Sequence, residues 1–186
     1  KHDALTALHA SEYFATGSMA DFGIPQDADK ATEFRNKARE YAMESLVIPG
    51  DNYYYAKNGY PQDYEKAFMY YMDAARCDHH WGYFNVGTCY LEGQGVTKND
   101  DEARIWFRKA EKKEDNPWAT YWLAELGDAI AALRVSGYYA TGSKSGWGME
   151  KNPDKSEDFY TKAKNFIAEK HDALTALHAS EYFATG

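Results

Sequence analysis

Cysteine is scarce in this sequence, long apolar runs are missing, and no cluster of basic residues stands out. The two cysteines, Cys77 and Cys89, decide little about the compartment. Cys77 falls near the end of one expected helix and Cys89 about ten residues into the next, far apart along a hairpin rising ~1.5 Å per residue, so both read as buried free thiols. No stretch approaches the roughly 18 apolar residues that a membrane span needs, so no membrane insertion is expected. The net charge is -8, with Lys and Arg interleaved among Asp and Glu. That balance makes nucleic acid or an anionic membrane surface a poor partner. A phosphate-binding glycine loop, a zinc-protease helix and an asparagine glycosylation sequon are all absent. The chain begins at Lys1 with neither a methionine nor a signal-like stretch, which reads as a processed form or part of something longer.

What is present is repetition. The nonapeptide Gly95-Val96-Thr97-Lys98-Asn99-Asp100-Asp101-Glu102-Ala103 has gapless counterparts starting at Gly23, Gly59 and Gly148, at spacings of 36, 36 and 53 residues. Self-similarity of this kind marks a repeat architecture. Its fifth position is Asp27, Asp63, Asn99 or Asn152, side chains whose oxygen caps the free N–H groups of a starting helix. Two residues later comes an acid, where the helix dipole favours negative charge. Pro153 directly after Asn152 suits a first helical position. Beyond each start, small residues recur seven apart, as Ala31 and Ala38, Ala67 and Ala74, Ala103 and Ala110, Ser156 and Ala163. Phe34, Tyr70, Trp106 and Phe159 follow three residues after the first of each pair, on the same helical face, and are expected to pack in the core.

In chain order, a helix over residues 3–17 capped by Asp3 pairs with one from Asp27 to about Leu46. Pro49 and Gly50 then interrupt what should be a first helix, leaving a short turn around Asn52 to Asn58, before a regular helix from Asp63 to Cys77. The third pair, His80 to Glu92 and Asn99 to about Glu114, carries Val86-Gly87, Tyr90, Gly93-Gln94-Gly95-Val96, Asn99 and Ala103. On these residues the chain resembles the Sel-1-like repeat family, a variant of the tetratricopeptide class. The other copies match more thinly: Ala10, Ser11, Phe14 and Gly17 in the first, Tyr54 without the Leu-Gly pair in the second, and Val135, Ser136, Tyr139 and Gly142 in the fourth. The resemblance implies an all-α fold, a right-handed superhelical solenoid of antiparallel helix pairs, acting as a scaffold or adaptor for other proteins. Some relatives of the class have been associated with hydrolase activity, but no nucleophile, base and oxyanion arrangement is visible. Gly142-Ser143-Lys144-Ser145-Gly146 has the wrong central residue for a nucleophile elbow. No catalytic residue and no cofactor is therefore expected.

The longer third spacing is explained by an inserted helix starting at Asn116-Pro117, with Trp118, Tyr121, Trp122 and Leu126 at three- and four-residue spacings, followed by a helix from Asp128 to Gly142. Trp118 and Trp122, together with Tyr53, Tyr54, Tyr60 and Tyr64 around the broken hairpin, form a candidate surface for a peptide or glycan. Packing of the inserted helix and stapling of the defect are the plainer readings. His2 and His9, like His171 and His178, lie two turns apart, ~10 Å, too far for one metal, and the adjacent His79 and His80 diverge around a helix, so no metal site is expected.

Residues 1–17 recur without a change at 170–186. Such identity, solvent-facing positions included, exceeds ordinary repeat drift. Three readings stand side by side: a tandem array of identical cassettes, separate chains joined head to tail, or an engineered addition that caps the core. Residues 1–169 form one cassette of four repeats (1–47, 48–78, 79–115, 116–169), and 170–186 open a second. Leu5, Leu8 and Phe14, with their counterparts Leu174, Leu177 and Phe183, are the expected assembly interface, and copies of the chain itself the expected partner in an extended filament.

Overall fold

Among the described residues the chain forms nine α-helices, most of them starting where the capping signals fall. The structure, a computed structural model, describes residues 3–184, with side chains as far as Asp172. The chain divides into two compact units, one ending at Glu114 and the other starting at Asp115. The first holds α1 (Ala4–Thr16), α2 (Ala28–Ala42), α3 (Ile48–Tyr55), α4 (Tyr64–Arg76), α5 (His80–Glu92) and α6 (Asp100–Glu114). The second holds α7 (Pro117–Glu125), α8 (Ala129–Thr141) and α9 (Pro153–Ala184). Among the described residues there is no strand, and Lys144 and Met149 form an isolated bridge.

Each pair is closed by one repeated device. The capping residue of the second helix uses its side chain on its own helix, as Asp27 does on the Lys30 N–H and Asp63 on the Lys66 N–H, both at 2.9 Å. Its backbone N–H then donates to the carbonyl of an aromatic near the end of the first helix: Asp27 to Phe14, Asp63 to Tyr53, Asn99 to Tyr90 and Asn152 to Tyr139, at 2.8–3.0 Å. Three of those aromatics stack on the aromatic of the partner helix, Phe14 on Phe34, Tyr53 on Tyr70 and Tyr139 on Phe159, with centroids 5.6, 5.8 and 6.1 Å apart. Burying such rings contributes about 1.5–3 kcal/mol each. The nonapeptide opens on glycine because Gly23, Gly59, Gly95 and Gly148 all take a φ of 74–81°, and at Gly95 an added Cβ would in addition lie 2.2 Å from the Tyr64 carbonyl oxygen.

The second repeat departs from expectation. Pro49 and Gly50 do not break the chain into a turn; α2 continues through a π turn at Met43–Val47 into α3. The wide π turn, closed by the Ile48 N–H on the Met43 carbonyl, leaves room for a proline in the first turn of α3. Gly50 is a notch: a Cβ there would sit 2.6 Å from Cε1 of Tyr71, as one at Gly87 would sit 2.8 Å from the ring of Phe107. Pro49-Gly50 therefore occupies the place of Val86-Gly87, and Tyr53, rather than Tyr54, fills the column of Phe14, Tyr90 and Tyr139. Gly50→Ala should cost about 2 kcal/mol in urea unfolding, because the ring of Tyr71 has to leave its seat.

Two clusters lie in the core of the first unit, beside the buried Ala103, Phe107 and Ala110 of α6. Ala4, Ala7, Leu8, Ala38, Ala42, Leu46, Val47, Ala74 and Cys77 form one; Tyr54, Ala67, Tyr71, Ala75, Val86 and Cys89 form the other. The small alanines seven apart let α4 and α5 approach, and α7 packs on α8 in the second unit. The last helix, α9, spans 32 residues and runs through the start of the duplicated segment without a turn.

Candidate functional site

The tyrosines of the second repeat fall into two layers. Tyr54 and Tyr71 lie in the core, their hydroxyls donating to Glu92 Oε2 and Asp51 Oδ1. Burial, then the neighbouring carboxylates, pushes both phenols far above the ordinary range, so they stay protonated. Burial likewise raises the Asp51 carboxyl, although the Tyr71 hydroxyl works against it. Tyr54 is thus a core residue. Tyr53 and Tyr64 are half-buried, Tyr53 edge-on to Tyr60 at 4.9 Å and Tyr64 edge-on to Tyr54 at 5.1 Å. Tyr60 is exposed, as is Tyr55, over whose ring Lys57 Nζ sits at 4.6 Å.

On α7, Trp118 donates its indole N–H to the Trp147 carbonyl at 3.1 Å, and its ring meets Tyr121 at 5.7 Å. Tyr121 in turn packs against Trp122 and against Phe159 of α9. Both tryptophans are half-buried, and α7 is held to its own unit by the Trp118 indole N–H and by the Tyr121 ring on Phe159. A groove of about 460 Å³ lies between α7 and α9, lined by Tyr121, Glu125, Lys155, Asp158, Phe159 and Lys162 among others.

Of the residues expected at an assembly interface, Leu8 belongs to the core and Phe14 is occupied by Phe34. Leu5 is half-buried and borders an apolar groove of about 310 Å³ with Leu46, Met69 and Tyr70, flanked by Lys66 and Asp73. Leu174, Leu177 and Phe183 lie outside the residues whose side chains are described. Leucines spaced three apart could not tell an inward face from an outward one, since either satisfies helical periodicity.

Between α4 and α5 sits a polar hub that the spacing of charges did not reveal. Asp78, at φ 60°, accepts from Arg39 Nη2 of α2 at 2.8 Å, from Tyr83 of α5 at 2.9 Å and from Lys113 of α6. Burial would raise its carboxyl, but the bonds from Lys113 and Tyr83 hold it below the usual range. The adjacent His79 and His80 do not diverge: His79 is extended, outside the helix, so its ring folds onto that of His80 at 4.9 Å. His79 is buried with Nδ1 unpartnered, and its burial, with the nearby His80, pushes its pKa down to about 4. His80 Nδ1 lies 3.2 Å from Glu114, yet burial keeps its pKa lowered too.

Both cysteines are free and buried, their thiols pushed up to about 12 by burial, which leaves them unreactive. Among the described residues no group of three or more His, Cys, Asp or Glu could hold a metal ion, and no helix is long and apolar enough to cross a membrane.

Capped helix pairs joined through an aromatic carbonyl, with glycine notches facing rings, define an all-α solenoid of the tetratricopeptide-like class. The chain belongs to the Sel1 repeat family, whose model matches residues 9–41, 50–79, 82–115 and 129–165. The helix α7 lies between the third and fourth matched segments. Among solved structures, the chain is similar to c5321, a protective antigen of uropathogenic Escherichia coli strains with an SLR fold, at 24% identity and a TM-score of 0.41. That match covers 88% of this chain and 38% of the antigen. It is also similar to a Sel1 repeat protein from Oxalobacter formigenes, at 21% identity and a TM-score of 0.41, covering 88% of this chain and 71% of the other. No curated protein matches the chain. Sel1 repeats are protein-interaction scaffolds and are generally non-enzymatic.

Proposed function

We propose that the chain is a structural scaffold whose copies associate with one another into an extended filament. The observation that carries this reading is the seventeen-residue segment present twice without a change, once as the docked helix α1 and its capping residues, and once within and beyond α9. A surface that accepts one copy accepts the other, which is the condition for a contact that repeats from chain to chain. The exposed side chains of residues 167–172 also support it, since α9 leaves its own repeat before the duplicate begins. On this reading residues 1–169 are one cassette and 170–186 the opening of the next.

Sedimentation velocity over a hundredfold range of concentration tests the proposal. The expected result is growth with concentration into elongated species, seen as rods by electron microscopy. A single monomeric species throughout would overturn it. The exposed pair Tyr55 and Tyr60 beside Lys57 favours a second reading, a monomeric adaptor that captures a peptide there; in that case Tyr60→Ala would abolish capture by a chain that never associates.

A further inference from the structure

Two helices in this chain start with the same device and share their pattern, yet end differently. Counted from their caps, Tyr71, Ala74 and Ala75 of α4 correspond to Tyr160, Ala163 and Lys164 of α9. On α4 this face is sealed. The chain turns at Cys77, Asp78 and His79 and lays α5 across it; Tyr71, whose ring also seats on Gly50 and Tyr54 of α3, is only 2% exposed and shares a cluster with Val86 and Cys89 of α5. The approach is close enough that a Cβ on Gly82 of α5 would lie 2.4 Å from the Ala75 nitrogen.

On α9 no such turn occurs. The residues matching Cys77, Asp78 and His79 are Phe166, Ile167 and Ala168, all helical, and the helix carries straight on. The segment that would otherwise fold back, identical to the first helix, is led away. Tyr160 is left 44% exposed and Ile167 53% exposed, one above the other at i and i+7, with Lys164 between them and its Nζ 4.8 Å from the Tyr160 ring.

The helix that matches α5 residue for residue from cap to cap is α1: Asp3 corresponds to His79, Thr6 to Gly82, Ala10 to Val86, Tyr13 to Cys89 and Gly17 to Gly93. In α5 these positions meet the preceding helix. In α1 they are open, Thr6 being exposed and Tyr13 43% exposed.

We propose that the Tyr160–Lys164–Ile167 face of α9 is the seat for α1 of a second copy of this chain, docked through Thr6, Ala10 and Tyr13 as α5 docks on α4. The inference rests on the self-association reading and gives it an interface. The contact continues the repeat stacking already made inside the chain. Its charge is complementary, since Lys164 arrives beside Asp3 at the start of the incoming helix. Thr6 and Lys164 are larger than Gly82 and Ala75, so these two helices sit further apart than α4 and α5, and the spacing is filled by Tyr13 and Ile167. The two faces differ, so the contact is heterologous and propagates from copy to copy unless it closes into a ring.

The test uses the full chain and two charge-introducing variants at exposed positions, Tyr13→Asp and Ile167→Asp, each checked for parental helicity by circular dichroism. Each variant alone should sediment as a monomer at concentrations where the parent is assembled. An equimolar mixture should give 1:1 dimers and nothing longer, because each partner retains one working face. If either variant associates as the parent does, this interface is wrong while the scaffold reading stands; if the parent itself never associates, the scaffold reading fails first. A second measurement does not depend on those variants folding: chains carrying Thr6→Cys and chains carrying Lys164→Cys, mixed and oxidised with diamide, should yield a covalent dimer absent from either chain alone. No dimer from an associating mixture would also overturn the interface.

Discussion

Gly82→Ala lowers the unfolding free energy of the first unit by about 3 kcal/mol, against the usual sense of this substitution. In a helix with open surroundings, replacing glycine by alanine stabilises by about 1 kcal/mol, because the glycine loses more conformational freedom on folding. At Gly82 that gain is overrun. The new methyl would lie 2.4 Å from the Ala75 nitrogen and 2.6 Å from the Ala74 carbonyl carbon, and backbone atoms inside a helix cannot rotate aside as a side chain can. Separation of α5 from α4 is the remaining escape, and it uncovers Tyr71 and Cys89. Gly137 of α8 supplies the control, since nothing lies within 4 Å of a Cβ built there. Gly137→Ala should stabilise by about 1 kcal/mol in the same urea titration. Opposite signs from one chemical change would establish that the α4–α5 approach, rather than helix propensity, sets the result; equal signs would refute it.

Acidification weakens the same junction through His79. Its folded pKa is depressed to about 4 from 6.5, so the fold holds it neutral while the unfolded chain takes up a proton. The stability it permits is complete above pH 6.5 and is lost progressively as the pH falls toward 4; at pH 5 the loss is about 2 kcal/mol. The groups facing it decide whether anything offsets this. The His80 ring from α5 and Arg39 from α2 oppose a positive charge, and Glu114 from α6 favours it without outweighing burial. Urea titrations at pH 7 and pH 5 should therefore show a drop that shrinks in His79→Phe, which keeps a ring against His80 and cannot be charged. An unchanged drop in that variant would assign the acid sensitivity to His80 and the carboxylates instead.

Much of this architecture was legible from residues whose effect is local. Asp27, Asp63, Asn99 and Asn152 cap helices as read, because a cap needs only its own next three residues. The aromatic column Phe34, Tyr70, Trp106 and Phe159 and the alanines seven apart were readable because helical periodicity is a short-range rule. Pro49 and Gly50 misled for the converse reason: the relief is a π turn several residues upstream, and the purpose of Gly50 is the ring of Tyr71 twenty-one residues away. The same holds for Tyr54, where a row of three tyrosines left the inward one undetermined by one position. Leu8 and Phe14 were assigned to an interface because periodicity shows that a face is apolar without showing what covers it. The open face of α9 becomes visible only when α4 and α9 are set side by side, since its cause is a turn that does not form.

The continuity of α9 also bears on how a fixed stretch of chain acquires a beginning. Asp3 starts a helix by accepting from the Leu5 N–H; the matching Asp172 sits within a helix already under way, its own backbone supplied by the turns upstream. The same residues thus start a helix in one setting and continue one in the other. At ~1.5 Å per residue the uninterrupted rod bears the second copy of those residues up to about 25 Å past Ala168, turning a strand of local sequence into a boom.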